Sequence, residues 1–415
     1  MNRPALTRGL PRPQDSCDTM MTSHTNDAAQ EGADASDHNV YIVGAGFSWN
    51  AGAPLIHDFL DRAREHFDDP SSGLQPGERA HFRTVFDFRR KMAQSREKIR
   101  IDLDDIEQLF GLVEMSRRLN LIPLETRKST VYVIAKTLEL ALGRHRDRPL
   151  VGFSTNNNVI ARVGTLPGNF DLRPNQQPPY YTIPMYEFFA ALVAGTLDDP
   201  DKRPSRKNTV ITFNYDLVLD SALRRLGLAV DYGLLTPPMD SMKTVRVLKL
   251  HGSTNWVFCE NCNEVTILED KGTQLYEELR SHSCRCGNIG LWPLLIPPSW
   301  DKSDHRSIVQ PVWEAAQAAL KDATRICIIG YSMPETDTFF KYLLTLALAE
   351  NHQLYRLVVV DKGDKLQRRF EDLLEPLFRA RRFSYWPEGL SQWLVDQRAY
   401  RELGRGEVIQ SLSLY

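Results

Sequence analysis

Three groups of residues in this 415-residue chain have the types and spacing that chemistry needs. The first is a pair: Asn214, in Thr212-Phe213-Asn214-Tyr215-Asp216, and His251, in Leu250-His251-Gly252-Ser253, lie 37 positions apart. A histidine titrates near neutrality and can accept a proton, while an asparagine offers a donor and an acceptor to a ribose hydroxyl or a water. Taken singly, a satisfied core histidine and a turn-forming asparagine explain them better. The second group is the turn Gly44-Ala45-Gly46-Phe47-Ser48, followed by Ala51-Gly52-Ala53-Pro54. Such glycines let a backbone turn tightly and approach a pyrophosphate. The dinucleotide fingerprint needs a third glycine where Trp49 stands, so the plain match fails and a packing turn fits equally well.

The third group is Cys259, Cys262, Cys284 and Cys286, spaced as Cys-x2-Cys, 21 residues, then Cys-x-Cys. Four thiolates close the tetrahedral shell of a structural Zn²⁺ and leave no position for water. In a large chain whose other cysteines, Cys17 and Cys327, stand apart, metal ligation is favoured over disulfides or free buried thiols. The second pair departs from CxxC, and His282 offers an alternative ligand.

These residues need a frame. Val40–Gly46 is apolar and β-branched and ends in glycine, as a strand buried on both faces would. The signal returns at Thr209–Phe213, Val245–Leu250, Ile326–Gly330 and Leu357–Asp361. Helical spacing occupies Ile56–Phe67, Gly77–Arg100, Leu103–Leu119, Ser129–Leu142 and Met185–Leu197, with a Gly/Pro/Asn-rich loop, Thr155–Pro179, expected to be a mobile cover. Alternation of this kind predicts an α/β fold, a doubly wound parallel, Rossmann-like sheet with its site beyond the carboxyl ends of the strands. A large helical insertion at about 56–206 and a small zinc-ribbon-like module at about 256–290 complete a domain of 39–399. Residues 1–38 read as a disordered tail and 400–415 as a C-terminal extension.

Composition narrows the classes. Hydrophobic residues make up 42% and charged residues 25%, enough for a sizeable core. A net charge of −2 argues against strong intrinsic nucleic-acid binding. No run is apolar enough to span a membrane, and the opening residues lack the apolar region of a secretory signal, so a soluble cytoplasmic protein is expected. The basic stretch Arg89, Arg90, Lys91, Arg96, Lys98, Arg100 reads as a solvated helix face paired with the acidic Asp102, Asp104, Asp105 and Glu107. Trp292–Trp300 either lines the pocket or is a packed linker.

The series GAGFSxxAG, TFNYD, LHGS, four cysteines and IGYSM resembles the sirtuin superfamily, and more narrowly its bacterial sirtuin-like branch with NYD and KLHGSxNW signatures. The resemblance covers about residues 39–395 and is most specific at Lys249–Trp256. It implies a dinucleotide-binding sheet with a zinc ribbon, and NAD as ligand. The family's catalytic asparagine and histidine match Asn214 and His251, and its NAD loop matches Gly44, Ala45, Gly46, Phe47 and Ser48. Thr212, Asp216 and Gly252, which flank the catalytic pair, are implied to bind NAD as well, and the adenosine-contacting segments match Gly330–Ser332 and Asp361. Two departures bear on activity. Ala53–Leu60 replaces an IPDFR-like segment, and Pro293–Pro298 replaces an FGE-like strand that pairs with substrate peptide. Proline removes the amide donors such pairing needs, which weakens peptide binding and leaves NAD binding intact. The expected activity is therefore NAD hydrolysis to nicotinamide and ADP-ribose; the alternatives are an NAD-dependent deacylase and a non-catalytic NAD or ADP-ribose-binding assembly subunit. The branch further implies NAD depletion in antiphage defence, homo-oligomers, and a partner ATPase or DNA translocase of the HerA type, or a nuclease.

Overall fold

Strand β1 (His38–Val43) is buried at every position, as an apolar run covered on both faces must be. A short helix α1 (Ala45–Trp49) follows, then α2 (Phe59–Asp68), α3 (Pro76–Ala93), α4 (Ile106–Arg118) and α5 (Leu124–Arg144). An antiparallel group, β2 (Leu150–Ser154), β3 (Arg173–Pro174) and β4 (Tyr180–Pro184), leads to α6 (Met185–Val193). The chain continues through β5 (Lys207–Thr212), α7 (Val218–Arg225), β6 (Ala229–Asp231) and β7 (Thr244–Lys249). A second antiparallel group comprises β8 (Gly252–Cys259), β9 (Val265–Ile267) and β10 (Leu291–Leu295). The last elements are α8 (Arg306–Lys321), β11 (Arg325–Ile329), α9 (Thr338–Ala349), β12 (Arg356–Val360), α10 (Gln367–Leu373), α11 (Glu375–Arg379), β13 (Phe383–Trp386) and α12 (Gly389–Val395). This computed structural model describes residues 37–95, 98–144, 150–154, 173–174, 180–195, 207–234, 244–268, 279, 281–297, 306–334 and 337–395. The expected tail up to 36, most of the 155–179 loop and the 400–415 extension lie outside those residues.

Seven strands form one sheet in the order β13-β12-β11-β1-β5-β7-β6, with every pairing parallel. From β1 the chain moves to one side for β5, runs out to β6 at the edge and comes back to place β7 between them, then crosses to the other side for β11, β12 and β13. The order therefore reverses at β1, and a crevice opens beyond the carboxyl ends there. Alternate residues of β1 serve opposite layers: Tyr41 and Val43 join a core with α6, α7 and α12, while Val40 and Ile42 join one with α8, α9 and α10. A third core unites the helices α2–α5 with the β8–β10 module, where Phe82, Phe110 and Val131 share a cluster with Cys259, Cys284, Leu291 and Leu295.

The sheet bears out the expected fold class and adds two edge strands. β6 and β13 are short and only partly buried, so neither carries the apolar run that revealed the other five. Helix limits also shift. Helix α3 stops at Ala93 rather than Arg100, and α4 begins at Ile106 because the Asp105 carboxylate accepts the amides of Glu107 and Gln108. Arg89 pairs with Asp104 and Arg90 with Asp87, the solvated-face arrangement expected of that basic stretch. The segment after the cysteines corrects an expectation. Leu291–Leu295 is a strand despite its proline, paired antiparallel with β8, and the register shifts between Pro293 and Leu294. A bulge is where a sheet tolerates proline.

Inside the insertion, Glu78 of α3 is fully buried. It accepts Tyr132 Oη at 2.6 Å and the Gln75 amide at 2.7 Å, with Lys136 Nζ 3.1 Å away. Burial alone would raise its pKa, but those three donors hold it below its ordinary 4.5. Its stabilising contribution is therefore present above about pH 4.5 and lost as pH falls through the depressed value. Lys136→Met should destabilise the fold by about 3 kcal/mol in urea titrations at pH 7, because it leaves a buried carboxylate without its cation. The difference from wild type should shrink on acidification.

Candidate functional site

A cavity of about 470 Å³ occupies the crevice, within the usual range for small-molecule sites. Its floor comes from the segments that follow β1, β5, β11 and β12: Ala45 and Gly46, Phe213–Asp216, Gly330–Ser332, and Asp361. Its far wall is apolar and belongs to the insertion, with Ile106 and Phe110 from α4 and Ile134 and Leu138 from α5. The Pro54–His57 segment, where the IPDFR-like stretch was absent, lines it as well.

The turns after β1 and β11 touch. Gly46 N–H donates to Gly330 O at 2.8 Å and Gly44 N–H to Ile329 O at 3.1 Å. A Cβ on Gly44 would lie 2.7 Å from Gly330 O, and one on Gly330, which has φ +57°, would lie 2.3 Å from Phe47 N. Phe47 N–H bonds Gly44 O within the turn. These three amides are thus engaged inside the protein, so close packing, one of the two readings of the glycines, accounts for them directly.

Asn214 is fixed against this turn. Its Nδ2 donates to Gly44 O at 2.9 Å and to Ser48 Oγ at 3.1 Å, and its amide donates to Thr212 Oγ1, whose hydroxyl in turn donates to Val43 O. With both Nδ2 hydrogens engaged, the remaining polar function of the side chain is the acceptor Oδ1. Below it, Lys249, 1% exposed, ties the two strand ends together. Its ammonium donates to Asp216 O at 2.6 Å and Ser253 Oγ at 3.0 Å and pairs with Asp220 at 3.0 Å. Burial raises the Asp216 pKa, opposed by Lys249, the Val218 amide and Ser48; burial also raises that of Asp361.

His251 differs from expectation. It is only 3% exposed and does not line the cavity. Its ring lies edge-on to Phe213 at 5.3 Å, and Phe213 stacks on Tyr331 at 4.3 Å, so an aromatic layer adjoins it at the cavity floor. Of the other expected residues, Ala45, Gly46, Asn214, Asp216, Gly330, Ser332 and Asp361 converge on the cavity. Gly44, Phe47, Ser48 and Thr212 stand behind them as supports. Gly252 (φ +85°) lies under β10, where a Cβ would be 2.0 Å from Leu294 O. Sequence reasoning missed Asp337 and the supporting role of Lys249, and it set Glu107 aside as a surface partner of the basic stretch rather than a cavity residue. Lys249 lay inside the quoted KLHGSTNW run; Asp337 and Glu107 follow no motif that would have marked them for this cavity.

The four cysteines come together with all Sγ atoms within 4.8 Å of one another, Cys259–Cys286 at 3.6 Å and Cys262–Cys284 at 3.3 Å. A tetrahedral zinc with bonds near 2.3 Å sets thiolates roughly 3.8 Å apart, so the donor set fits. The Asn288 and Asn261 amides donate to Cys259 and Cys286 Sγ, each at 3.4 Å, the outer hydrogen bonds that stabilise thiolates. His282 is outside this group. Such a metal would cross-link the β8–β9 turn to the start of β10, a structural role.

Residues 208–378 match the family model of the SIR2-like domain. Among curated proteins none matches this sequence. Similar solved structures include a Sir2 enzyme bound to a propionylated peptide, at 14% identity and TM-score 0.37 over 88% of this chain and 93% of that one. Another, described for the mechanism and regulation of Sir2 enzymes, has 12% identity and TM-score 0.39 over 89% and 93%. A Sir2 homologue in complex with ADP-ribose has 14% identity and TM-score 0.38 over 89% and 92%.

Two outcomes are expected. Gly330→Ala should lower stability by about 2 kcal/mol in urea denaturation, through clash and positive φ together. Gly73→Ala, also at positive φ but with open space around its Cβ, should cost less. Mass spectrometry under native conditions should find one zinc per chain, lost in Cys262→Ser with Cys284→Ser.

Proposed function

We propose that this protein binds NAD in the crevice cavity and hydrolyses the bond between nicotinamide and ribose. The observation that carries the reading is the acidic lining of the cavity. Asp216, Asp337, Asp361 and Glu107 line it, and among the described lining residues there is no lysine or arginine. Breaking that bond develops positive charge on the ribose as nicotinamide leaves, and preorganised carboxylates stabilise it. Asn214, held at Gly44 and Ser48, presents Oδ1 to a ribose hydroxyl or the attacking water. The match to the SIR2-like domain over 208–378 supports NAD as the substrate.

Water is favoured over an acyl-lysine as nucleophile because the insertion supplies the apolar far wall and α5 packs against β10, the strand in place of the peptide-pairing segment. The four cysteines would hold a structural zinc. By resemblance, the biological setting is NAD depletion in antiphage defence, by a cytoplasmic homo-oligomer acting with an ATPase, DNA translocase or nuclease. An enzyme of this kind needs restraint, which assembly or the insertion supplies.

A second reading, binding without cleavage, is favoured by the burial of His251 away from the cavity. Chromatography of NAD incubated with wild type, Asn214→Ala and His251→Ala, with and without acetylated peptide, separates these. Nicotinamide and ADP-ribose without peptide, lost in both variants, is the expected result. Product that requires peptide would make the protein a deacylase, and NAD binding with no turnover would make it a binding subunit.

A further inference from the structure

Asp337 stands between the cavity and His251. It is the residue that precedes α9, yet its carboxylate makes no capping bond to that helix. Instead Oδ2 accepts Tyr331 Oη at 2.8 Å, and Oδ1 lies 3.6 Å from His251 Nε2. Asp337 lines the cavity and His251 does not. A histidine that is 3% exposed and outside the cavity lining cannot take a proton from substrate without an intermediary, and the carboxylate that lines the cavity and lies beside it is placed to be one. A lone carboxylate is a weak base at neutral pH, whereas one backed by an imidazole can pass the proton on and end as a carboxylate–imidazolium pair.

We propose that Asp337 and His251 act as one proton-accepting pair, with Asp337 as its cavity-facing member and His251 as its buried reservoir. This rests on the hydrolase reading for its substrate, but not for the pairing itself. In the step, water's O–H bond breaks, and its electrons form the new bond to the ribose carbon. The proton passes to Asp337 and, once Oδ1 closes the 3.6 Å to hydrogen-bond distance, on to His251 Nε2. The bond from ribose to nicotinamide breaks with its electrons going to the ring nitrogen, which neutralises the leaving group. The pair later returns its proton to solvent, so NAD and water give nicotinamide, ADP-ribose and one proton.

Among the described residues, Tyr215 and Tyr331 adjoin the pair, and Glu107, Glu114 and Arg369 act electrostatically on those tyrosines. Burial and neighbouring carboxylates push both tyrosines well above their ordinary range, so they remain neutral donors. The conversion to Asn keeps size and backbone while removing charge, and Asp337→Glu restores it.

The test is an NMR titration of full-length protein labelled at histidine, with the His251 signal assigned by its loss in His251→Gln, run beside NAD turnover. In Asp337→Asn the His251 midpoint should fall by about one unit or more, since the opposite charge that favours imidazolium is gone. Turnover should fall about 10²-fold with little change in KM. Asp337→Glu should recover part of both. An unchanged His251 titration in folded Asp337→Asn overturns the pair, whatever the turnover. A shifted titration with an inactive wild type keeps the pairing and removes the hydrolase reading.

Discussion

The structure depends on one close approach: the turns after β1 and β11 meet backbone to backbone where the strand order reverses. Side chains at Gly44, Gly46 or Gly330 would collide with the opposite turn, so the contact exists only because all three lack a Cβ. The Gly46–Gly330 hydrogen bond fixes the floor of the crevice, and Asn214 is positioned because its amide finds Gly44 O at the edge of that contact. Loosening the turn would move Asn214, which lines the cavity.

Beneath the floor, a buried polar network links the segments after β5 and β7. Lys249 is bound to Asp216 O, Asp220 and Ser253; Ser253 donates to Asn255 at 2.7 Å, and Tyr232 Oη donates to Asp220 at 2.5 Å. A buried ammonium without such partners would be costly; fully satisfied, it makes the two loops one rigid unit. This is why the KLHGSTNW run is dense in buried polar residues, Lys249, His251, Ser253 and Asn255. They position the crevice rather than line it.

The parallel sheet was legible because strands buried over most of their length spell themselves in β-branched runs, and β1, β5, β7, β11 and β12 do so. β6 and β13 escaped because short, half-exposed edges carry no such run. The cysteine cluster was legible by spacing, and the Leu291–Leu295 strand was not, because a bulge that absorbs Pro293 has no signature in composition. Of the site, Asn214 and the residues around Gly46, Gly330 and Asp361 could be read from strand ends. His251 could be named but its depth could not: a strand end shows where the chain turns, while the edge-on packing of its ring against Phe213 is a tertiary contact. Asp337 was invisible for the same reason.

Helix α5 touches both the cysteine module and the cavity. Lys128, near its start, pairs with Glu260 beside Cys259 at 3.0 Å, and further along Ile134 and Leu138 face the cavity. The cysteine module and the wall opposite Asn214 therefore share one rigid element. That wall also allows the most direct measurement of whether the crevice takes an ADP-ribosyl ligand: calorimetric titration of ADP-ribose into wild type and into Leu138→Trp, which fills the cavity from its far side. Binding at one site per chain that is lost in folded Leu138→Trp is the predicted result. Equal binding by both proteins would place the ligand elsewhere and contradict the assignment.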